Sequence, residues 1–171
     1  AISILFARAG AKVLLADRDQ ANAETTLATI KEEGGEATVF VGDVTINADC
    51  RGMADAAVAR YGRLDVLVNN VAVRPHKPIL EITDEEWHTT LGINMHAAFY
   101  LCRAVLPGMM ERKTGSIIAL GGQSAITGRP GTSMVTTAKT GVLGLIRAVA
   151  AEMAPYNIRA NMVNPLSLIP I

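Results

Sequence analysis

Residues 62–70 read Gly62-Arg63-Leu64-Asp65-Val66-Leu67-Val68-Asn69-Asn70. The run 64–68 has the length and β-branched content of a strand buried on both faces, as in a parallel sheet. Two amides close it, and paired amides at a strand end can bridge backbone groups and face a ligand. Turn asparagines are the alternative explanation for the same pair.

Short apolar runs alternate with amphipathic segments on both sides of this stretch. Strands are predicted at residues 12–16, 37–41, 64–68, 116–120 and 158–163. Helices are predicted at residues 1–9, 19–33, 48–61, 83–110 and 133–153, the fourth with a break near Asn94. Asp19 and a capping box of Thr83 with Glu86 mark two of the helix starts. This alternation predicts one α/β domain over residues 1–171 with right-handed crossovers.

Composition narrows the range of partners. The chain has 171 residues, half of them apolar, and its 16 basic and 16 acidic side chains cancel, so no net field attracts nucleic acid or anionic lipid. No apolar stretch is expected to reach the roughly 18 residues of a membrane span. Cys50 and Cys102 are predicted to be free thiols in a reducing cytoplasm. His76, His88 and His96 have no ligand spacing typical of a metal site, so none is expected.

The most informative polar residues follow predicted strands, where open parallel sheets bind ligands. Asp17 directly follows the first strand, and a carboxylate there can accept both hydroxyls of an adenosine ribose, which favours NAD over NADP. Arg18 could serve a phosphate instead, and a turn or capping role also explains Asp17. Asp43 and Val44 after the second strand have the same two interpretations. Lys139 lies on a small-residue face of a long helix, where a lysine is ordinarily solvated.

Together these features resemble the short-chain dehydrogenase/reductase family over essentially the whole chain. The segments that carry the resemblance are 10–17, 42–44, 62–70, Asn94, 115–118, 138–139 and 158–161. The resemblance implies a Rossmann-like, doubly wound parallel sheet with helices on both faces. In the family's strand order, 3-2-1-4-5-6-7, this chain lacks the first and the last strand, so a truncated, partial domain is expected. The missing first strand would lie between the first two strands and the later three.

The resemblance also implies NAD(P)(H)-linked interconversion of an alcohol and a ketone. In the family a tyrosine exchanges a proton with substrate, a lysine four residues later lowers the pKa of that tyrosine and holds the ribose, a serine positions the carbonyl, and an asparagine completes a proton path. By position, Lys139 and Asn94 are the expected catalytic lysine and asparagine. Gly122 and Val135 occupy the serine and tyrosine positions, and neither side chain can carry a proton. NAD is the expected cofactor, with NADP as the alternative. Its contacts are expected at Asp17, Asp43, Val44, Asn70, Lys139 and Leu168.

Two further departures affect the expected cofactor site. Val71-Ala72 replaces the family's usual Ala-Gly after Asn70, and Leu166 replaces the usual glycine after Pro165. Side chains are thereby added where the backbone would pass close to the dinucleotide. The chain is therefore expected to be catalytically impaired, or to be a pseudoenzyme that keeps the fold for association.

Partners follow from the same resemblance. Helices 95–110 and 133–153 are rich in Ala, Leu, Met and Val, and in the family they pack against their copies, which implies a homo-oligomer. A small alcohol or ketone is the expected substrate of an active form. The loop 73–79 would line the substrate cleft. Its Arg74, His76 and Lys77 suit an anionic or polar substrate, although a solvated loop explains them as well.

Overall fold

The computed structural model describes residues 1–165, where parallel strands alternate with helices. The strands are β1 (Val13–Asp17), β2 (Ala37–Val41), β3 (Val66–Asn69), β4 (Gly115–Leu120) and β5 (Ile158–Val163). The helices are α1 (Ile2–Arg8), α2 (Gln20–Glu32), α3 (Asn47–Tyr61), α4 (Asp84–Leu91), α5 (Ala97–Arg112) and α6 (Ser133–Met153), with a π-helical turn at Gly92–His96 joining α4 to α5. The α/β fold predicted from the alternation is confirmed.

The described strands form two separate sheets in two compact units. One unit comprises residues 1–63 and holds the pair β1-β2, and the other begins at Leu64 and holds β3-β4-β5 with β4 in the middle. All of these neighbours are parallel. This grouping agrees with the family's strand order, in which the first two strands are neighbours and the later three follow one another. The prediction of one domain over residues 1–171 is not tested by this division.

In the first unit, short sequence signals set the element bounds. Asp19 precedes α2, and its carboxylate accepts from the backbone N–H of Asn22 at 3.1 Å, as predicted for a helix cap. Ala7, Leu15 and Ile30 form the buried centre, so one face of α1 and one of α2 cover the sheet on the side of Leu15.

In the second unit, α6 covers the sheet with a periodic apolar face. Its buried residues recur at three- and four-residue spacing, as expected for a helix that lies on a core. They are Met134, Val135, Ala138, Lys139, Val142, Ile146 and Val149. Lys139 is the charged member of this buried set, unlike the ordinary solvated lysine of a helix, because the helix turns it toward the sheet.

One sequence expectation about hydrophobic length also needs correction. Residues 133–156 form a helical segment that is long and apolar enough, by length and composition alone, to cross a membrane. The expectation that no such stretch exists is therefore wrong for this segment. The same segment packs on β5, and a core helix passes the same test. That the protein binds no membrane stays a prediction.

Candidate active site

A buried lysine lies at the carboxyl end of β4. Lys139, in the second turn of α6, is 5% exposed, and its Nζ donates to the carbonyl oxygen of Leu120, the last residue of β4, at 2.6 Å. An ammonium has three N–H donors, and this is the one hydrogen bond that Lys139 makes within residues 1–165. Two donors of Lys139 are therefore available to a ligand.

The electrostatic environment of this lysine disfavours its charged form. Burial lowers the pKa of Lys139, and the positive charge of Arg74 lowers it further. Taking an ammonium out of water penalises the protonated state, and a nearby like charge adds to that penalty. A negatively charged group or hydrogen-bond acceptor that binds here would therefore stabilise the protonated form of Lys139.

Two neighbouring positions hold no group that could exchange a proton. Val135 lies one helical turn before Lys139, on the same face of α6, and is 6% exposed. Gly122 follows β4 with φ 149° and ψ 173°, a combination populated almost only by glycine. Gly122 thus follows β4, Val135 lies on the Lys139 face of α6, and neither residue has a hydroxyl. Their assignment to the serine and tyrosine positions stays a prediction.

Asn94 lies in the π-helical turn and is 1% exposed. Its Oδ1 accepts from the backbone N–H of Val73 at 2.8 Å, and its Nδ2 donates to the Val73 carbonyl oxygen at 2.9 Å. The predicted helix break near Asn94 is confirmed by the π-helical turn. The wider turn lets the buried amide of Asn94 reach the backbone of Val73, whose N–H and C=O need an acceptor and a donor. Asn94 thereby fixes the start of the loop after β3.

The amide pair that closes β3 divides into a buried and an exposed residue. Asn69 is 8% exposed and pairs in register with Ala119 of β4, whereas Asn70, the predicted cofactor contact, is exposed. The Oδ1 atom of Asn69 is buried and has no hydrogen-bond partner among residues 1–165. Buried polar atoms are ordinarily satisfied, so Asn69 is a candidate ligand contact, the member of the amide pair that was not predicted to contact the cofactor.

Two glycine-dependent contacts shape the loop between β4 and α6. The Gly122 N–H donates to Oδ1 of Asn164 at 2.9 Å, and a Cβ on Gly121 would lie 1.9 Å from that same oxygen. Asn164 follows β5 directly, but nothing in its sequence position indicated this partner. Gly131 has φ 72°, and a Cβ there would lie 2.5 Å from Cε1 of His76. The His76 ring therefore covers Gly131, which the sequence could not predict.

In the first unit, Asp17 shows the turn role that was one of its two interpretations. Its Oδ1 accepts from the backbone N–H of Asp19 at 3.0 Å, and its Oδ2 accepts from Nδ2 of Asn22 at 3.2 Å. A carboxylate has about four lone-pair sites, so these two bonds leave acceptor capacity for ribose hydroxyls. The cofactor role of Asp17 stays a prediction.

Asp43 and Val44 after β2 also make local bonds. The Asp43 Oδ1 accepts from both the backbone N–H and the hydroxyl of Thr45 at 2.8 Å, and these hydrogen bonds hold the pKa of Asp43 below its usual value. The Val44 carbonyl oxygen accepts from Sγ of Cys50 at 3.3 Å. Both residues are half-buried, and their predicted cofactor contacts are not tested.

The remaining predicted contact, Leu168, and the departure at Leu166 lie outside the described residues. Within those residues, no group of three or more His, Cys, Asp or Glu side chains could hold a metal ion. Cys50 and Cys102 are free and buried, and burial raises the pKa of each thiol to about 11.

Comparison with known proteins places these features in a family. A family model described as enoyl-(acyl carrier protein) reductase matches residues 1–169. The human dehydrogenase/reductase SDR family member 4 is 37% identical over 166 residues, which are 96% of this chain and 60% of that relative. The cyclopentanol dehydrogenase of Comamonas testosteroni is 34% identical over 161 residues, 94% of this chain and 64% of that protein. The chain thus spans less than two thirds of the length of these two relatives.

A solved structure shows the same fold with a nucleotide bound. A metagenomic short-chain oxidoreductase in complex with NADP superposes with a TM-score of 0.92 at 29% identity, covering 96% of this chain and 75% of that one. The chain has parallel strands flanked by helices, in the order the family shows, and a lysine at the end of β4. Sequence similarity to these proteins extends over nearly the full chain. The protein belongs to the short-chain dehydrogenase/reductase family of NAD(P)-dependent oxidoreductases.

Proposed function

We propose that this chain carries the core of an enzyme that interconverts a small alcohol and a ketone with NAD(P)(H). The observation that carries the proposal is the buried Lys139, whose Nζ is fixed at the carboxyl end of β4 and keeps two N–H donors for a ligand. A relative named for cyclopentanol oxidation and a similar structure that bound NADP support the reaction class and the cofactor.

The described residues fit a nicotinamide nucleotide in two respects. The spare N–H groups of Lys139 suit ribose hydroxyls, and the orphaned Oδ1 of Asn69 offers a buried acceptor. We assign the further contacts to Asp17, Asp43, Val44, Asn70 and Leu168. When bound, the nicotinamide supplies or accepts the hydride. Lys139 would then hold the ribose, and Asn94 keeps the adjoining loop in place through Val73.

Proton transfer is the weak step of the proposed reaction. Val135 cannot exchange a proton, and Gly122 has no side chain to orient a carbonyl. General acid–base catalysis contributes typically about 10²–10⁴-fold, so turnover well below that of a member with the tyrosine is expected. This impairment is part of the proposal.

Calorimetry with NADH and NADPH, paired with reduction of cyclopentanone, tests the proposal. The unchanged protein should bind at least one nucleotide, Lys139→Met should weaken that binding, and Val135→Tyr should raise turnover. Arg51→Ala, which removes an exposed charge in α3, serves as the control and should change neither. If no nucleotide binds to the unchanged protein, the proposed function is wrong.

A second candidate function is non-catalytic association through α5 and α6. Met95, Phe99, Tyr100, Gly141 and Leu145 line a shallow, largely apolar groove between these helices. Phe99 is 43% exposed within this groove, and exposed apolar patches mark interaction sites. We propose that a second copy of the chain covers this face, in either the active or the pseudoenzyme case.

Sedimentation at micromolar concentration tests this association. The unchanged protein should sediment as a dimer or larger oligomer, and Phe99→Glu should shift it to monomer because the glutamate would be buried without a partner. A monomeric unchanged protein would exclude the association. We also propose a cytoplasmic location, because Cys50 and Cys102 are both free thiols.

A further inference from the structure

The loop after β3 is held at two points on either side of Arg74. Val73 makes two backbone bonds with Asn94, at 2.8 and 2.9 Å, and the backbone N–H of Lys77 donates to the Gly131 carbonyl oxygen at 2.9 Å. Three residues thus lie between two fixed backbone points. A side chain between them starts from a defined backbone position, as a specific binding group requires.

The two cationic side chains of this loop have different environments. Lys77 donates from Nζ to both carboxylate oxygens of Glu86, at 2.7 and 2.8 Å, so its charge is already paired. Arg74 is exposed and has no hydrogen bond, ion pair or ring contact with any of residues 1–165. Its guanidinium offers a planar fork of N–H donors that matches a carboxylate or phosphate.

The loop that carries Arg74 is bonded at Val73 to Asn94 and at Lys77 to Gly131, two residues before α6 begins, so Arg74 lies on a segment adjoining the helix that carries Lys139. Consistent with this placement, the charge of Arg74 contributes to lowering the pKa of that lysine. No acidic side chain is among the groups that shift the pKa of Lys139, and its one hydrogen-bond partner in the described chain is a neutral carbonyl. Both side chains are cationic when protonated, and an anionic ligand held between the loop and α6 would be attracted to both. Lys139 also lies at the position where the proposed reaction takes place.

Resting on the proposed function, we propose that the carbonyl substrate carries an anionic group that the Arg74 guanidinium binds, so that the enzyme selects oxo- or hydroxy-substrates bearing a carboxylate or phosphate over neutral ketones. Hydrogen bonds to a charged group are stronger than those between neutral groups, so loss of the guanidinium should lower the affinity for such a substrate about tenfold or more. A neutral ketone of the same size should be unaffected.

Binding calorimetry with two matched pairs of probes tests this specificity without requiring turnover. Acetoacetate is compared with methyl acetoacetate, and dihydroxyacetone phosphate with dihydroxyacetone, so that the pairs distinguish a carboxylate from a phosphate. Arg74→Ala should lower the affinity for at least one anionic probe about tenfold or more and leave the affinity for its neutral counterpart unchanged. Arg74→Lys should lose part of the affinity, because it keeps the charge but not the fork. Arg51→Ala, a matched loss of an exposed arginine, should change nothing.

Three results would overturn the proposal. The first is equal weakening of the anionic and neutral probes by Arg74→Ala. The second is failure of both anionic probes to bind the unchanged protein at millimolar concentration. The third is a loss of NADPH affinity alone, which would assign Arg74 to a cofactor phosphate. Failure of the proposed function is separate, since it is measured by nucleotide binding to the unchanged protein.

Discussion

Replacing Asn94 with alanine should cost a large part of the folding free energy of the second unit. The change removes two hydrogen bonds to Val73, at 2.8 and 2.9 Å, from a side chain that is 1% exposed. Each bond contributes about 1 kcal/mol net, and each backbone group left without a partner costs about 1–3 kcal/mol if water cannot reach it. Val73 is half-buried, so some hydration is expected, and the loss should total about 2–4 kcal/mol.

Urea unfolding followed by circular dichroism measures this loss. With a slope of roughly 1–3 kcal/mol per molar urea, the midpoint should fall by about 1 M or more. Asn161→Ala, at an exposed position of β5, is the matched control and should change stability by less than about 0.5 kcal/mol. If Asn94→Ala behaved like the control, the amide pairing with Val73 would not stabilise the fold and the reasoning would be refuted.

Two more predictions concern the same unit. Gly131→Ala should lower the unfolding free energy by about 1–2 kcal/mol because of the left-handed backbone, and by more because the new Cβ would meet the His76 ring. Thermal unfolding of Gly131→Ala with and without His76→Ala separates the two costs. Equal losses in the two backgrounds would contradict the steric part. Burial and Arg74 lower the pKa of Lys139 in the folded state, so between that pKa and the ordinary value near 10.4 the unfolded chain binds the extra proton. The stability of the unchanged protein should therefore rise relative to that of Lys139→Met as pH increases from neutral toward about 10. A difference in urea midpoints that does not change with pH would contradict this prediction.

The elements were predictable where local signals dominate. The helix 133–153 and the strands 37–41 and 158–163 have the predicted bounds, because apolar periodicity and flanking turn residues mark both ends. The capping box of Thr83 and Glu86 is present with both of its hydrogen bonds. The third strand begins at Val66 rather than Leu64, because sheet pairing rather than hydrophobicity sets where a strand starts.

Features that depend on distant partners could not be predicted. The sequence predicted a helix break near Asn94 but not that Val73, 21 residues earlier, provides both the donor and the acceptor for its amide. It marked Asn70 as the cofactor contact, whereas burial distinguishes Asn69. The partner of Gly122, Asn164, lies 42 residues away, and such pairings follow from the sheet order rather than from any local pattern.

The glycine-specific backbone at Gly122 limits what a simple replacement there can achieve. A serine introduced at this position would place a side chain on a conformation that serine seldom adopts, with φ 149° and ψ 173°. An unstrained serine would require a rotated peptide, and that rotation would disturb the bond from the Gly122 N–H to Asn164. Gly122→Ser is therefore expected to shift the loop that follows β4 rather than to add a hydroxyl to an otherwise unchanged site.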